Sequence, residues 1–136
     1  MNKDFHIFPI GTVKKNNKNA EIEIFDDFAD GLLGLEGFSH IYVLYWFHEN
    51  DTPQKRQILQ VHPRGDKKNP LTGVFGTHSP VRPNLIALTL CEVLSIERNC
   101  IKIKDIDALE GSPVIDIKCY IPDTPGDPAY RVPGWV

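Results

Sequence analysis

Residues 73–89 read GVFGTHSPVRPNLIALT and join a constrained loop directly to an apolar strand. Pro80 and Pro83 fix their own φ at roughly −65°, and each pushes the residue before it out of the helical region. The loop therefore has few available conformations, and its polar side chains point in settled directions. Such a loop is either a rigid connection, in which Arg82 and Asn84 bind backbone carbonyls, or part of a functional site.

Short segments of alternating apolar and polar residues lie on both sides of this loop, and turn residues separate them. Alternation with a period of two is typical of a half-buried strand, and it predicts strands at residues 5–13, 20–25, 88–97, 101–104 and 114–121. The polar run KKNNKN between the first two strands predicts a hairpin. With no long amphipathic helix, these strands indicate an all-β barrel or sandwich.

Residue types also predict local features. Asp26 and Asp27 are expected to cap a short helix over residues 31–35, and Thr52 to cap a helical turn that runs into a strand. Residues 41–47 are all apolar or aromatic, which predicts a strand buried on both faces. In the last strand we expect four side chains to point inward: Ile115, Ile117, Cys119 and Ile121. The proline-rich residues 122–136 predict an irregular tail, with Trp135 fixing its end.

Composition limits the function classes. The chain has 136 residues, which fits one domain spanning residues 1–136, and a formal net charge of −3. Nucleic-acid binding would therefore need a local basic patch. No apolar run is long enough for a bilayer and no secretory signal is evident, so we expect a cytoplasmic protein without membrane contact. Three cysteines without CxxC spacing predict free buried thiols.

The histidines do not predict a metal site, because none of them shows HxH or HxxxH spacing. Ser79 lacks the strand–turn–helix context of a nucleophile. The remaining pattern is a loop-built pocket with aromatic faces at residues 45–47 and with Asp105 and Asp107 as hydrogen-bond acceptors. The run HPRGDKKNP (residues 62–70) is either a solvated charged loop or a contact for phosphates. From the residues alone, the chain is a ligand-binding β domain.

Four blocks of this sequence resemble the TsaA-like (TrmO-type) family, in the same order. They are GVFGTHSPVRPNLIALT, LEGFSHIYVLYWFH, VHPRGD and DIDALEGSPVIDIKCYIP, and the resemblance runs from about residue 10 to residue 122. The resemblance implies a compact, mainly antiparallel closed β-barrel that binds S-adenosylmethionine near a homodimer interface. It also implies methyl transfer to the exocyclic nitrogen of threonylcarbamoyl-adenosine beside the tRNA anticodon.

The resemblance assigns site residues position by position. The positions that match the family's cofactor contacts are Phe47, His48, His78, Leu88, Asp105, Ile106, Asp107 and Ala108. Asp105 and Asp107 are also the candidates for the group that accepts a hydrogen from the acceptor amine. Five residues are candidates for contact with tRNA: Arg64, Lys67, Lys68, Arg82 and Asn84. Arg82 and Asn84 could instead hold the loop together.

The sequence departs from the family pattern at His78, where the family has an arginine. Histidine lacks a permanent charge and a bidentate fork, so it would hold a carboxylate less firmly. Two alternatives to the tRNA methyltransferase therefore stay open. One is a non-catalytic module that binds or senses S-adenosylmethionine, and the other is a methyltransferase acting on a small molecule.

Overall fold

A computed structural model describes residues 3–136. The chain divides into two compact units. The first consists of the described residues up to Tyr45 together with Leu88–Val136, and the second is Trp46–Ala87. Strands make up most of the regular structure, with a few short helices between them. The prediction of a mostly β fold is therefore confirmed.

Six strands form the main sheet. They are β1 (Gly11–Lys15), β2 (Ala20–Ile24), β3 (His40–Trp46), β6 (Ile86–Glu97), β7 (Cys100–Ile103) and β8 (Pro113–Cys119). Their order is β1-β2-β7-β6-β3-β8, and the register of the described pairs is antiparallel. Since β1 also pairs with β8, the order of pairing returns to its start.

The predicted hairpin is present and joins β1 to β2. The side chain of Asn16 orders its turn, accepting from the backbone N–H groups of Lys18 and Asn19 at 2.9 Å each. Gly11 is required where β1 approaches β2, because a Cβ there would lie 2.3 Å from the carbonyl oxygen of Glu23. The strand is shorter than predicted: it begins at Gly11, and residues 3–10 form neither strand nor helix.

The core of the sheet is aliphatic, as the alternating pattern requires. Every second residue of the strands faces inward, and the side chains that are buried to 3% exposure or less are Val13, Ile22, Ile24, Ile41, Val43, Tyr45, Cys91, Ile101, Ile103 and Val114. Burying an aliphatic side chain of this size contributes about 1.5–3 kcal/mol. β-branched residues dominate the list because they suit a pleated, half-buried surface.

Two predictions about strands were wrong in part. Strand β3 is not buried on both faces: its side chains alternate between buried and half-buried along the strand. In β8, Val114 is the fully buried residue, whereas Ile121 lies beyond the strand and is 50% exposed. A break in register at Leu44 and Tyr45 lies opposite this part of β8, so simple alternation does not continue through it.

The helical cap predicted at Asp26 and Asp27 was also wrong. A 3-10 helix spans Asp26–Leu32 and a second spans Leu35–Gly37, and neither begins with a side-chain cap hydrogen bond. The two aspartates therefore lie inside the first turn, where they face the positive end of the helix. Gly34, with φ +85°, separates the two segments.

The second unit contains little regular structure. Helix α1 (Pro53–Arg56) is a single turn, and the hydroxyl of Thr52 accepts from the N–H of Lys55 at 3.2 Å, which confirms the predicted cap. Strands β4 (Gln60–Val61) and β5 (Thr72–Gly73) then pair as a short two-stranded sheet. Three 3-10 turns complete the unit: His48–Asn50, Pro63–Gly65 and Val74–Gly76.

The C-terminal tail has neither strand nor helix, as predicted. The backbone of Arg131 bonds that of Ser39 at 2.9 Å, and its guanidinium donates to the carbonyl of Glu36 at 2.7 Å. The Trp135 ring lies edge-on to Phe38, with 6.1 Å between the ring centroids. Cys91, Cys100 and Cys119 are free thiols, and only the first is fully buried.

Candidate functional site

The first candidate is the loop of residues 104–112, which joins β7 to β8 and is called here the acidic loop. Over residues 105–108 of this loop, exposed and buried residues alternate. Ile106 and Ala108 are 1% and 7% exposed, whereas Asp105 and Asp107 are exposed. The two apolar side chains thus anchor the loop in the core and leave its carboxylates in solvent.

Lys15, at the end of β1, holds this loop through hydrogen bonds. Its ammonium donates to the carbonyl oxygens of Ile106 at 2.6 Å and Ala108 at 3.3 Å. Its backbone N–H donates to the carboxylate of Glu110. Hydrogen bonds from a charged donor are stronger than neutral ones. Lys15 therefore fixes a loop without regular structure at its two buried apolar residues.

Tyr45 supplies a further contact. Its hydroxyl donates to the carbonyl oxygen of Asp107 and lies 3.1 Å from the hydroxyl of Thr89 on β6. Burial raises the pKa of Tyr45, and the carboxylate of Asp107 raises it further, against the opposing effect of Thr89. The phenol therefore remains a neutral donor at physiological pH.

The two aspartates of the loop differ in their partners. Asp105 accepts the backbone N–H of Ile106 at 2.8 Å, so one of its oxygens stabilises the loop. Within residues 3–136, the Asp107 carboxylate forms no ion pair and accepts no hydrogen bond. It is therefore available to accept from a hydroxyl or an amine of a ligand.

Leu88 is 57% exposed on β6 and lies on the opposite face of that strand from Thr89. Because Thr89 meets Tyr45 and Tyr45 meets the acidic loop, the side chain of Leu88 does not face this loop. The structure thus brings together Asp105, Ile106, Asp107 and Ala108, and it leaves the Leu88 side chain on the outer face.

In the second unit, the signature loop (residues 73–85) is fixed by its own hydrogen bonds. Val74 and Leu85, at its two ends, are 1% and 0% exposed. Arg82 donates from one nitrogen to the carbonyl oxygens of Thr77 at 3.2 Å and Ser79 at 3.1 Å. Of the two roles that the sequence left open for Arg82, the structure supports holding the loop together.

Arg56 fixes the other end of the signature loop. Its Nε donates to the carbonyl of Pro83 at 2.9 Å, and a further nitrogen lies 3.5 Å from the side-chain oxygen of Asn84. Its guanidinium also pairs with Asp51 at 3.4 Å and lies over the Trp46 ring, 5.7 Å from the centroid. Asn84 thus has a structural partner of its own.

Three further predicted residues lie in this unit: Phe47, His48 and His78. Phe47 donates its backbone N–H to the carbonyl of Leu85 at 2.9 Å, which joins the end of β3 to the signature loop. His48 follows as the first residue of a 3-10 turn and is half-buried. His78 is exposed in the middle of the signature loop.

The basic side chains of the segment 62–70 project from an ordered loop. His62 Nδ1 lies 2.9 Å from the carbonyl of Asn69, whose side chain donates to the carbonyl of Pro63 at 2.8 Å. Arg64 has φ +61°, an uncommon conformation for a non-glycine residue. Arg64, Lys67 and Lys68 are exposed and form no ion pair in the part of the chain that the structure describes.

Comparison with known proteins places this geometry in a family. Residues 2–125 match the family described as the tRNA-methyltransferase O N-terminal domain. The chain belongs to the TrmO family. A probable S-adenosyl-L-methionine-binding protein of Methanocaldococcus jannaschii is 49% identical over 116 residues, covering 85% of this chain and 92% of the relative.

Two further comparisons bear on function and fold. A mouse tRNA (adenine(37)-N6)-methyltransferase is 40% identical over 100 residues, covering 74% of this chain and 22% of the relative. The crystal structure of TrmO from Pseudomonas aeruginosa matches with a TM-score of 0.69 and 26% identity, covering 93% of this chain and 60% of that one. Another TrmO crystal structure gives a TM-score of 0.70. The chain thus spans about three fifths of these solved TrmO chains.

The sequence missed three residues of the site's framework. Lys15 belongs to the run KKNNKN, whose composition indicates a polar turn, and Thr89 carries no signal because it belongs to an alternating strand. Tyr45 was considered for its ring, whereas its hydroxyl makes the contact. Among residues 3–136, none of the helices could span a bilayer.

Proposed function

We propose that this protein binds S-adenosylmethionine and transfers its methyl group to the exocyclic nitrogen of an adenosine in tRNA, with threonylcarbamoyl-adenosine beside the anticodon as the acceptor. The observation that carries the proposal is the acidic loop, which Lys15 and Tyr45 hold in one shape with the Asp107 carboxylate exposed. Membership of the TrmO family supports the cofactor and the reaction class.

The hydrogen-bond acceptor that the acidic loop exposes suits an adenosine. Ribose hydroxyls and an adenine amine are hydrogen-bond donors, and a carboxylate without a protein partner accepts from either. Lys15 and Tyr45 already bind the carbonyl oxygens of Ile106, Asp107 and Ala108, so the loop offers a ligand chiefly the Asp107 carboxylate, which the buried Ile106 and Ala108 hold in place. S-adenosylmethionine, when bound, supplies an electrophilic methyl group on a sulfonium.

The protein contributes mainly position to such a reaction. Methyl transfer requires the nucleophile, the methyl carbon and the leaving sulfur to be in line, since the nitrogen–carbon bond forms as the carbon–sulfur bond breaks, and a fixed loop lowers the entropy cost of that arrangement. An adenine amine is a weak nucleophile, so a carboxylate that accepts its hydrogen assists the step. Asp107 is the better placed of the two candidates, because Asp105 already bonds its own loop.

Residues of the second unit are proposed to contribute to cofactor and RNA binding. Phe47, His48 and His78 are proposed as cofactor contacts by their match to the family pattern, as is Leu88 of the first unit. Arg64, Lys67 and Lys68 are proposed as phosphate contacts, since all three are exposed cations. Arg82 and Asn84 are proposed to act indirectly, by holding the signature loop.

We also propose that the sheet is a closed barrel in a single domain, that the protein is cytoplasmic and that it forms a homodimer. The pairing of β1 with β8 supports closure. The exposed leucines on β6 support a covered face in the dimer; these are Leu88, Leu90 and Leu94. Light scattering coupled to size exclusion should give twice the 15.4 kDa mass, and a monomer at micromolar concentration would contradict the dimer.

The first test is calorimetric titration of the purified protein with S-adenosylmethionine, with S-adenosylhomocysteine as the product control. We expect saturable binding with a fixed stoichiometry per protomer. Methyl transfer to unfractionated tRNA, followed by digestion to nucleosides and mass analysis, then tests the acceptor. Absence of binding at millimolar ligand would contradict the proposal as a whole.

A second candidate is a module that binds S-adenosylmethionine without transferring its methyl group. The observation that favours it is the exposed His78 in place of the family's arginine. His78→Arg separates the two functions. Activity in the natural protein supports the methyltransferase, whereas activity that is found only in the arginine variant supports the binding module. Transfer to a small molecule but not to tRNA would instead favour a methyltransferase that acts on a small molecule.

A further inference from the structure

Residues of the hairpin β1–β2, of β7 and of the acidic loop line a groove rich in lysine. Its volume is about 460 Å³, and it is called here the basic groove. Five lysines and two glutamates are among the residues that line it: Lys14, Lys15, Lys18, Lys102, Lys104, Glu21 and Glu110. The groove therefore carries net positive charge on a protein whose formal net charge is −3.

Three of these lysines are available for a ligand. The ammonium of Lys15 is bound to two carbonyls of the acidic loop, and Lys104 pairs with Glu92 at 3.7 Å. In residues 3–136, by contrast, the ammonium groups of three exposed lysines form no ion pair; these are Lys14, Lys18 and Lys102. Unpaired cations in a concave site are the usual electrostatic signature of a polyanion surface.

The lysines stand on a rigid framework. In the strand register, Lys14 of β1 lies opposite Glu21 of β2, and Glu21 lies opposite Lys102 of β7. Lys18 belongs to the turn that Asn16 orders. The backbones of β1 and β7 lie two strand spacings apart, roughly 10 Å. The charges are thus spread along a row.

This arrangement suits a chain of phosphates better than a compact anion. Glu21 lies in the middle of the row, where its carboxylate would repel a single phosphate held between the two lysines. A backbone can place its phosphates on either side of Glu21. An RNA backbone also carries 2′-hydroxyls, which can donate to that carboxylate.

The groove is connected to the acidic loop through Lys15, which lines the groove and binds the carbonyls of Ile106 and Ala108. We propose that the basic groove is a docking surface for the phosphate backbone of RNA. The proposal rests on the proposed function, since RNA held here would be next to the loop that is proposed to bind the cofactor. It assigns RNA contact to Lys14, Lys18 and Lys102.

The test compares three variants in fluorescence anisotropy with a labelled 17-nucleotide anticodon stem-loop RNA at several salt concentrations. The groove variant is Lys14→Gln/Lys18→Gln/Lys102→Gln. A second variant, Lys67→Gln/Lys68→Gln, removes two of the three exposed cations of residues 62–70. A third, Lys3→Gln/Lys118→Gln, removes charge from positions outside the groove lining and serves as the control.

We expect the groove variant to lose affinity by at least about tenfold at 50 mM salt, and its slope of log affinity against log salt to fall by about two for three lost phosphate contacts. The control variant should bind like the natural protein. If the triple variant unfolds, Lys18→Gln and Lys102→Gln are measured singly, each with a slope reduced by about 0.7.

Other outcomes would overturn the proposal in distinguishable ways. Unchanged affinity and slope in the groove variant would overturn it while leaving the proposed function intact, and a loss confined to Lys67→Gln/Lys68→Gln would place RNA on the other loop. Equal losses in the control would indicate net charge alone. Competition by inorganic tripolyphosphate as strong as by unlabelled RNA would indicate a small-anion site. Failure of the natural protein to bind RNA would remove tRNA from both proposals, while cofactor binding is measured separately.

Discussion

The ammonium of Lys15 donates to the carbonyl oxygen of Ile106 at 2.6 Å, across 91 positions of sequence. The same ammonium reaches the carbonyl of Ala108 at 3.3 Å. Lysine usually leaves its charge in water, but here it is used to hold a loop that has no strand or helix of its own. The shape of the acidic loop therefore depends on a residue at the far end of the first strand.

Replacement of Lys15 by methionine should weaken cofactor binding. Methionine keeps much of the aliphatic length but removes both hydrogen bonds, each of which contributes about 1.5–3 kcal/mol when the donor is charged. We expect the affinity for S-adenosylmethionine in calorimetry to fall by about tenfold or more. Lys118→Met is the control, because Lys118 is exposed and pairs with Asp116 on β8. Equal affinities in the two variants would show that the loop does not need Lys15.

The two aspartates of the acidic loop should respond differently to conversion to asparagine. The Asp107 carboxylate has no hydrogen-bond or ion-pair partner within the described residues, so Asp107→Asn should leave stability nearly unchanged and reduce the cofactor affinity by about tenfold. Asp105 accepts the N–H of Ile106, so Asp105→Asn should mainly lower stability. Calorimetry and urea unfolding measure the two effects. The reverse pattern would assign the ligand contact to Asp105.

The hydroxyl of Tyr45 should contribute measurable stability. Tyr45→Phe removes the donor to the carbonyl of Asp107 and the contact with Thr89, and a hydrogen bond of this kind contributes about 0.5–1.5 kcal/mol. We expect a lower midpoint in urea with an unchanged m-value. Tyr42→Phe is the matched control, since it lies on the same strand with its ring against Tyr120. A control that loses as much stability would contradict the role of the Tyr45 hydroxyl.

Whether a feature of the fold or of the site can be predicted from the sequence depends on how far apart in sequence the interacting residues are. Alternation, turn residues and the Thr52–Pro53 start of α1 act between neighbours in sequence, and the corresponding strands and helix are present. The contacts of Lys15 with Ile106 and of Tyr45 with Asp107 join residues that are 91 and 62 positions apart. No local pattern specifies such pairs, because they depend on the order in which strands pair.

The burial of β3 illustrates the same limit. Its run of apolar residues predicts two buried faces, but burial depends on what covers the outer face. Tyr42, Leu44 and Trp46 remain half-buried in the structure. In the signature loop, in contrast, the sequence predicts a restricted backbone locally, since Pro80 and Pro83 act on their own residues and on the residue before each. The network of Arg82 adds hydrogen bonds to a conformation already restricted by sequence.

Removal of the Arg82 guanidinium should loosen the signature loop. Arg82→Met leaves the carbonyls of Thr77 and Ser79 without their donor, and we expect a loss of about 1–3 kcal/mol in the free energy of unfolding. Arg82→Lys should restore only part of this, because an ammonium lacks the planar fork. Hydrogen exchange of residues 73–85 measures the local effect. Protection equal to that of the natural protein would show that the prolines suffice.

The pH dependence of stability should contain a contribution from Cys91. Burial raises the pKa of this thiol from 9.0 to about 12, and the carboxylate of Asp105 acts in the same direction. Above pH 9 the unfolded chain loses this proton while the folded chain keeps it, so the unfolded state binds fewer protons and stability falls as pH rises. The slope for one such group is about 1.4 kcal/mol per pH unit between its two pKa values.

Urea unfolding at pH 8, 9, 10 and 11 under reducing conditions tests this contribution in Cys91→Ala. The variant should be less stable than the natural protein at pH 8, because it leaves a small cavity. The difference should shrink as pH rises, since only the natural protein loses the stability linked to the thiol. Cys119→Ala, at a half-buried position of β8, is the control, and its free energy of unfolding should fall with pH as steeply as that of the natural protein. Parallel curves for natural protein and Cys91→Ala would show that the buried thiol does not govern stability at alkaline pH.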